Sequence, residues 1–302
     1  MQFDDRTVTV AEGLRGRAAL PGSGALAFLG RLLRVRMAGF ALAVVLITVI
    51  MALFARWLAP HDPTFTGPEP LASPSLEHPL GTDQLGRDML SQIIYGSRIA
   101  LAVSTGAVLL GTVVGGSLGI LSGYVRGILD EVTMRAMDAL VAFPGLILAL
   151  ALASALRPSL QTVIIAIAVA NVPWIARVAR SQALGVREME YVTAARALGA
   201  GPGRILTRYI LPNSLAPIIV QSTLGMGYAV LAAAGLSFLG AGVPPPTPDW
   251  GAMVRSSYGL LAGYPLLALA PGAAIFLLVL SFNLLGDALR DVLDPRLRGA
   301  QG

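Results

Sequence analysis

Cysteine is missing from all 302 residues, and every one of the 22 basic residues is arginine. Without cysteine there is no disulfide framework and no thiolate metal site. Without lysine there is no ordinary phosphate-binding P-loop, which needs a lysine to reach the terminal phosphates. Any nucleotide hydrolysis linked to this chain must therefore be done by a partner. Charge is scarce too: 13% of residues are charged, against about 25% in soluble domains. With 55% hydrophobic residues and a mean hydropathy of +0.71, the chain reads as a bilayer protein.

A membrane helix needs about 20 apolar residues. Six stretches are candidates: 37–58, 99–122, 137–156, 160–180, 214–240 and 264–286. In the first, Arg56 lies near one end, where it can snorkel to the interface. Its apolar run is too long, and its lead too extended, for a cleavable signal peptide. Arg157-Pro158-Ser159 forms a tight turn between the third and fourth stretches. With the N-terminus inside, 17 arginines fall in cytoplasmic segments or at the cytoplasmic end of a stretch, as Arg177 and Arg180 do, and 5 fall outside. The positive-inside rule then puts both termini in the cytoplasm.

Between the fourth and fifth stretches lies EYVTAARALGAGPGRILTRYILPN, residues 190–213. A seventh span over 187–209 would bury Arg187, Glu188, Glu190, Arg196, Arg204 and Arg208. Each central charge costs about 2.5–3.5 kcal/mol, and each Leu, Ile or Val returns only about 0.3–0.6. The segment therefore stays outside the hydrocarbon. It still reads as a helical hairpin. Met189, Val192, Ala195 and Leu198 recur at three-residue steps. Gly199 and Gly201 stop the first helix, and Pro202 suits the first turn of a second. Leu211-Pro212-Asn213 is expected to close that second helix before the fifth span.

These residues resemble the EAA loop of binding-protein-dependent ABC importer permeases, whose pattern is E-A-A-x-x-x-G with a downstream I-x-L-P. Ala194, Ala195, Gly199, Leu211 and Pro212 fall in register. Thr193 stands where the family often has Glu, and Tyr209 where it often has Ile or His. In that family the loop forms coupling helices that dock in a groove of the ATPase. The resemblance thus implies a coupling role for Arg187, Glu190, Thr193, Ala194, Ala195, Gly199, Arg204, Leu211 and Pro212.

Three further stretches, 78–101, 123–150 and 235–254, resemble the C-type subunit of the dipeptide/oligopeptide/nickel branch. The likeness runs over residues 25–299. It implies an all-α membrane protein with six transmembrane helices and the type I importer permease fold. The expected parts are a cytoplasmic tail (1–36), a first helix with its external loop (37–98) and a core permease domain (99–302). The implied partners are a homologous second permease, two ATPase subunits, an external substrate-binding protein and membrane lipids, with no nucleic acid. The implied location is a prokaryotic inner membrane. The cargo would be dipeptides or oligopeptides, with nickel chelates, glutathione or another small solute as alternatives.

Within 78–101, Thr82 or Asp83 is expected to cap, Gly86 to turn the chain, and Arg87–Gly96 to form an interfacial helix with Met89, Leu90, Ile93 and Ile94 on its apolar side. Residues 235–254 read as an external re-entry loop. In the second span, Gly111, Gly115, Gly119 and Gly123 repeat every four residues, one step after Ala107. This small-residue face favours close helix packing, within this subunit before contact with a second permease.

No residue set reads as catalytic, cofactor-binding or metal-ligating. A proton-coupled transporter would bury acidic or histidine relays in its spans, and these spans hold almost none. Asp138 and Asp287 lie near cytoplasmic ends. Asn171-Val172-Pro173 reads as a satisfied kink. An intramembrane serine protease needs a histidine in the membrane, but His61 and His78 both fall in the first external loop. Neither has ligand spacing to a second donor.

Overall fold

The computed structural model describes residues 30–33, 35 and 37–293. Most of the tail expected over 1–36, and the C-terminal residues 294–302, lie outside the described residues. Helix dominates: among the described residues the only β pairing is an isolated bridge between Thr82 and Asp88.

The first expected span becomes α1 (Ala38–Leu53) and a short α2 (Ala55–Leu58), separated at Phe54. The Arg98 guanidinium donates from Nε to the Ala52 carbonyl at 2.6 Å, taking up an acceptor at the end of α1. The second span is longer than expected. α3 runs unbroken from Met89 to Val125, so the expected interfacial helix is its first turns. The cap is Asp88, whose carboxylate accepts from the Ser91 N–H at 2.7 Å. Asp83 instead accepts from the N–H groups of Leu85 and Arg87 and from the Arg87 and Gln92 side chains, holding the turn before α3. Gly86 does turn the chain, at φ +72. Met89, Ile93 and Ile94 are buried in protein rather than turned to an interface. Met89 and Ile93 meet Trp250, Met253 and Leu267.

The third expected span is broken. α4 (Gly127–Val141) and α5 (Gly145–Ala155) meet at an 88° bend. Pro144 supplies the reason: it has no N–H and disfavours helix in the residue before it. α5 alone, at about 16 Å, is too short to cross about 30 Å of hydrocarbon.

α6 (Leu160–Arg187) begins where Ser159 caps the Thr162 N–H after the expected turn. It passes through Pro173 without ending. The Asn171 amide nitrogen is buried without a partner, so this is not the satisfied kink expected. After α7 (Glu190–Ala197), α8 runs from Pro202 to Leu239. A π-turn over Leu206–Ile210 interrupts its α geometry. The expected stop at Leu211-Pro212-Asn213 is therefore absent. The wider π-turn admits the proline ring within a continuous helix. Asn213 and Ser214 donate side-chain hydrogen bonds to the carbonyls of Tyr209 and Ile210.

α8 ends at Gly240, φ +90. α9 (Trp250–Ser257) then folds back onto α3: the Trp250 indole donates to the Ile93 carbonyl at 2.9 Å, over Gly96. α10 (Leu266–Leu293) completes the bundle. α3, α6, α8 and α10 are long and apolar enough to cross a membrane. The bent α4–α5 pair makes a fifth crossing if it counts as one span, and α1 is a shorter apolar helix.

The small-residue face packs within this chain. Positions Gly115 and Gly123 lie over the Val172 and Arg180 carbonyls, where an added Cβ would come to 2.6 and 2.7 Å. Gly119 fits as closely over Ala176. The repeat on α3 thus meets a matching four-residue repeat on α6. α3 and α8 are also joined by a hydroxyl pair, Thr112 with Ser222 at 2.7 Å.

Candidate functional site

The hairpin expected over 187–212 is built at the α6–α8 junction. α7 closes with paired backbone hydrogen bonds: Gly199 N–H to the Arg196 carbonyl, and Ala200 N–H to the Ala195 carbonyl. This is the Schellman pattern, which needs a left-handed residue at the first position after the cap. Gly199 provides it at φ +81. Gly201 then caps α8 with Pro202 in its first turn.

The three-residue periodicity of α7 divides between two surroundings. Val192 is wholly buried and packs with Ile205, Ile210, Ala183 and Val186. Ala195 is also buried, at 8% exposure. Met189 and Leu198 are exposed, Leu198 at 88%. Tyr191 packs against Tyr209 of α8, the ring centroids 6.2 Å apart and the planes tilted by 33°. The face left to solvent holds Met189, Thr193, Ala194, Leu198, Gly199 and Arg204. It is an apolar knob beside a cation.

The remaining sequence candidates divide in the same way. The Arg187 guanidinium turns inward and donates to the Tyr124 carbonyl at the end of α3. The carboxylate beside it belongs to Glu188, which accepts from Arg126 at 2.7 Å. Glu190 and Pro212 are exposed, as is Leu211 at 39%. Sequence reasoning missed the ion pairs behind the hairpin. Arg180 of α6 makes a two-pronged bond to Asp130 of α4, at 2.5 and 2.6 Å, and Arg177 reaches Asp138 at 2.8 Å. The 50- and 39-residue separations hid them. Local sequence shows both arginines only as cytoplasmic charge.

The hairpin therefore sits where α3, α4, α6 and α8 converge, at the opposite end of the about 55 Å α3 from the Asp88 cap. The hairpin leaves the apolar side chains of Met189, Tyr191 and Leu198 exposed at one end of a bundle of long apolar helices. Residues 115–299 match the family described as binding-protein-dependent transport system inner membrane component, and residues 26–76 match the N-terminal TM domain of oligopeptide transport permease C. The chain belongs to this family: it is a multi-pass permease subunit of an ABC importer, and ATP hydrolysis falls to partner ATPases.

Among curated relatives, it is 45% identical over 255 residues to the dipeptide transport system permease protein DppC of Alkalihalophilus pseudofirmus, covering 83% of each chain. It is 42% identical over 274 residues, 90% of each chain, to the glutathione transport system permease protein GsiD of Escherichia coli. In fold it resembles the MetNI methionine ABC transporter, with a TM-score of 0.57 at 22% identity over 68% of this chain and 98% of that one. An amino acid ABC transporter gives a TM-score of 0.52 at 17% identity, over 66% and 92%.

Proposed function

We propose that this subunit carries dipeptides or oligopeptides across a prokaryotic inner membrane by alternating access. It would pair with a homologous permease and take work from two ATPase subunits through the hairpin. The observation carrying the coupling role is Leu198, an apolar side chain held almost wholly exposed beside the Gly199 cap. A lone exposed leucine needs no explanation, but here Met189 and Tyr191 are exposed with it. A conformational change must be driven by contacts that differ between states. The sequence has no lysine for an ordinary P-loop and almost no acidic or histidine relay in its spans, which supports placing those contacts on partner surfaces.

On this reading the coupling residues are Thr193, Ala194, Gly199, Arg204, Leu211 and Pro212, with Glu190 at the margin. Arg187 and Ala195 support the hairpin from behind. Both termini face the cytoplasm, and the 17-to-5 arginine distribution supports that orientation. An external substrate-binding protein delivers cargo to the opposite face, lipids surround the bundle, and no cofactor or nucleic acid is called for. The chain divides into the tail (1–36), first helix with external loop (37–98) and core permease (99–302).

Peptide cargo is favoured by the 45% identity to a dipeptide permease. A second reading, glutathione, is favoured by the longer match at 42% identity. Uptake of labelled dipeptide and of labelled glutathione by vesicles holding the complete assembly separates them. If the purified chain alone supports solute flux driven by a pH gradient, the importer mechanism fails and the chain is a secondary transporter.

A further inference from the structure

We infer that the loop between α2 and α3 holds a binding site for a divalent transition-metal cation, formed by His61, Glu77 and His78 and supported by Asp88. The sequence places the two histidines too far apart to suggest a ligand pair. The fold brings their rings to 4.7 Å, centroid to centroid. One ligand atom each from His61, Glu77 and His78 lies within 4.8 Å of the others. With bonds of about 2.1 Å, tetrahedral ligand atoms stand about 3.4 Å apart. The set closes on an ion with a shift of about 1 Å, and exposed Glu77 is free to supply it.

Two independent features point to a ligand. The first is a pre-set imidazole. His78 Nδ1 lies 3.0 Å from Asp88 Oδ1. A carboxylate oxygen accepts, so in the neutral tautomer that makes this bond Nδ1 carries the hydrogen and Nε2 is the nitrogen left for a metal. This is the carboxylate–histidine pairing that orients metal ligands. Asp88 is itself fixed, because its other oxygen caps α3. The second feature is an orphan: His61 Nδ1 is buried with no hydrogen-bond partner, 3.9 Å from the same Asp88 oxygen. The His61 backbone is held by its N–H donating to Ser91 Oγ at 3.0 Å. A cavity of about 160 Å³ opens among His61, Glu77, His78 and Asp88.

Two imidazoles with one carboxylate suit Zn²⁺, Ni²⁺ or Cu²⁺; Mg²⁺ and Ca²⁺ prefer oxygen donors. Ligands drawn from the exit of α2 and from the approach to α3 would let one ion tie the two ends of this loop together.

The test is titration of the tag-free, full-length purified chain with Zn²⁺, Ni²⁺ and Mg²⁺, following bound metal and thermal stability. The expected result is one saturable equivalent of Zn²⁺ or Ni²⁺, a rise in Tm on binding, and no response to Mg²⁺. Glu77→Gln, on an exposed side chain, should keep the apo Tm and weaken binding at least about 10-fold. His61→Ala should do the same, and His61→Cys should restore binding. Asp88→Asn keeps a capping oxygen but should lose about 10–100-fold in affinity, as loss of a supporting carboxylate does. Absence of a saturable equivalent, or one that survives unchanged in both His61→Ala and Glu77→Gln, overturns the site.

Discussion

Gly115 lies so close under Val172 that a methyl group added to it would sit 2.6 Å from the Val172 carbonyl oxygen. The obstacle is helix backbone, which cannot swing aside as a side chain does. Gly115→Leu should therefore force α3 off α6 and lower the Tm of the purified chain, and Gly115→Ala should do so to a smaller extent. Overpacking of this kind costs about 1–3 kcal/mol. Gly116→Ala is the internal control, since a Cβ there meets nothing within 4 Å. Leu109→Ala, on an exposed side chain, is the second. Equal losses at positions 115 and 116 would mean that the glycine face is not the packing face.

At the hairpin, Leu198→Asp and Gly199→Val should leave the bundle inserted and abolish substrate-stimulated ATP hydrolysis by the partners. Leu198→Asp puts a charge on the knob. Gly199→Val places a β-branched residue in a left-handed backbone, at a cost of about 1–2 kcal/mol. Ala194→Trp is the clean steric probe, because Ala194 is exposed. Ala195→Trp is not, because Ala195 is buried and a large ring there would disturb the hairpin itself. Glu190→Ala should have the smallest effect. ATPase assays of the reconstituted complex, with and without loaded binding protein, decide it. Normal stimulation in all four variants removes the coupling role.

Burial pushes the Asp249 carboxyl above its usual range, although it accepts from the Ala252 N–H at the start of α9. A raised folded value means that the stability of the protonated form is fully present below the unfolded carboxylate value, about 3.9. That stability is lost as pH rises through the folded value. An asparagine keeps the capping oxygen and carries no charge at any pH. Asp249→Asn should therefore match the parent Tm at the acid end, near pH 4, and exceed it as pH rises above the unfolded carboxylate value. A constant difference across that range would show that Asp249 ionises without penalty.

Topology is open to direct labelling, since the chain has no cysteine of its own. Ser75→Cys and Thr247→Cys should react with an impermeant thiol reagent on intact cells, and Gly201→Cys only after lysis. Reaction at position 201 from outside would reverse the proposed orientation and remove the hairpin from the ATPase side.

Local sequence carried much of the architecture. The Gly199 cap, the Pro202 helix start, the Gly86 turn and the four-residue glycine repeat each depend on a backbone rule acting over a few residues, and all four appear in the fold. What failed depended on neighbours far away in the chain. Asp83 looks as good a cap as Asp88 until Arg87 and Gln92 claim it. Pro212 looks like a helix stop, because the π-turn that absorbs it leaves no compositional mark. Pro144 was read as part of one span, yet the chain bends there by 88°. The inward turn of Arg187 and the division of α7 into a buried and an exposed side required knowledge of what packs behind them. Spacing brings out only residues close in sequence, so the approach of His61 to His78, rings 4.7 Å apart, leaves no mark there.

The unbroken course of α8 has a mechanical consequence. A hinge at Leu211-Pro212-Asn213 would have let the hairpin rock while the span behind it stayed still. Instead the second hairpin helix and the membrane helix form one rod of 38 residues, about 57 Å long. Displacing Arg204 at one end moves a lever whose far tip, Leu239, opens the loop that leads to α9. Two features interrupt the backbone hydrogen-bond ladder along that lever: the π-turn at Leu206–Ile210 and Pro217 in the helix interior. On the proposed coupling role, how much of a push at the hairpin reaches the far end depends on the stiffness of the rod at these two places.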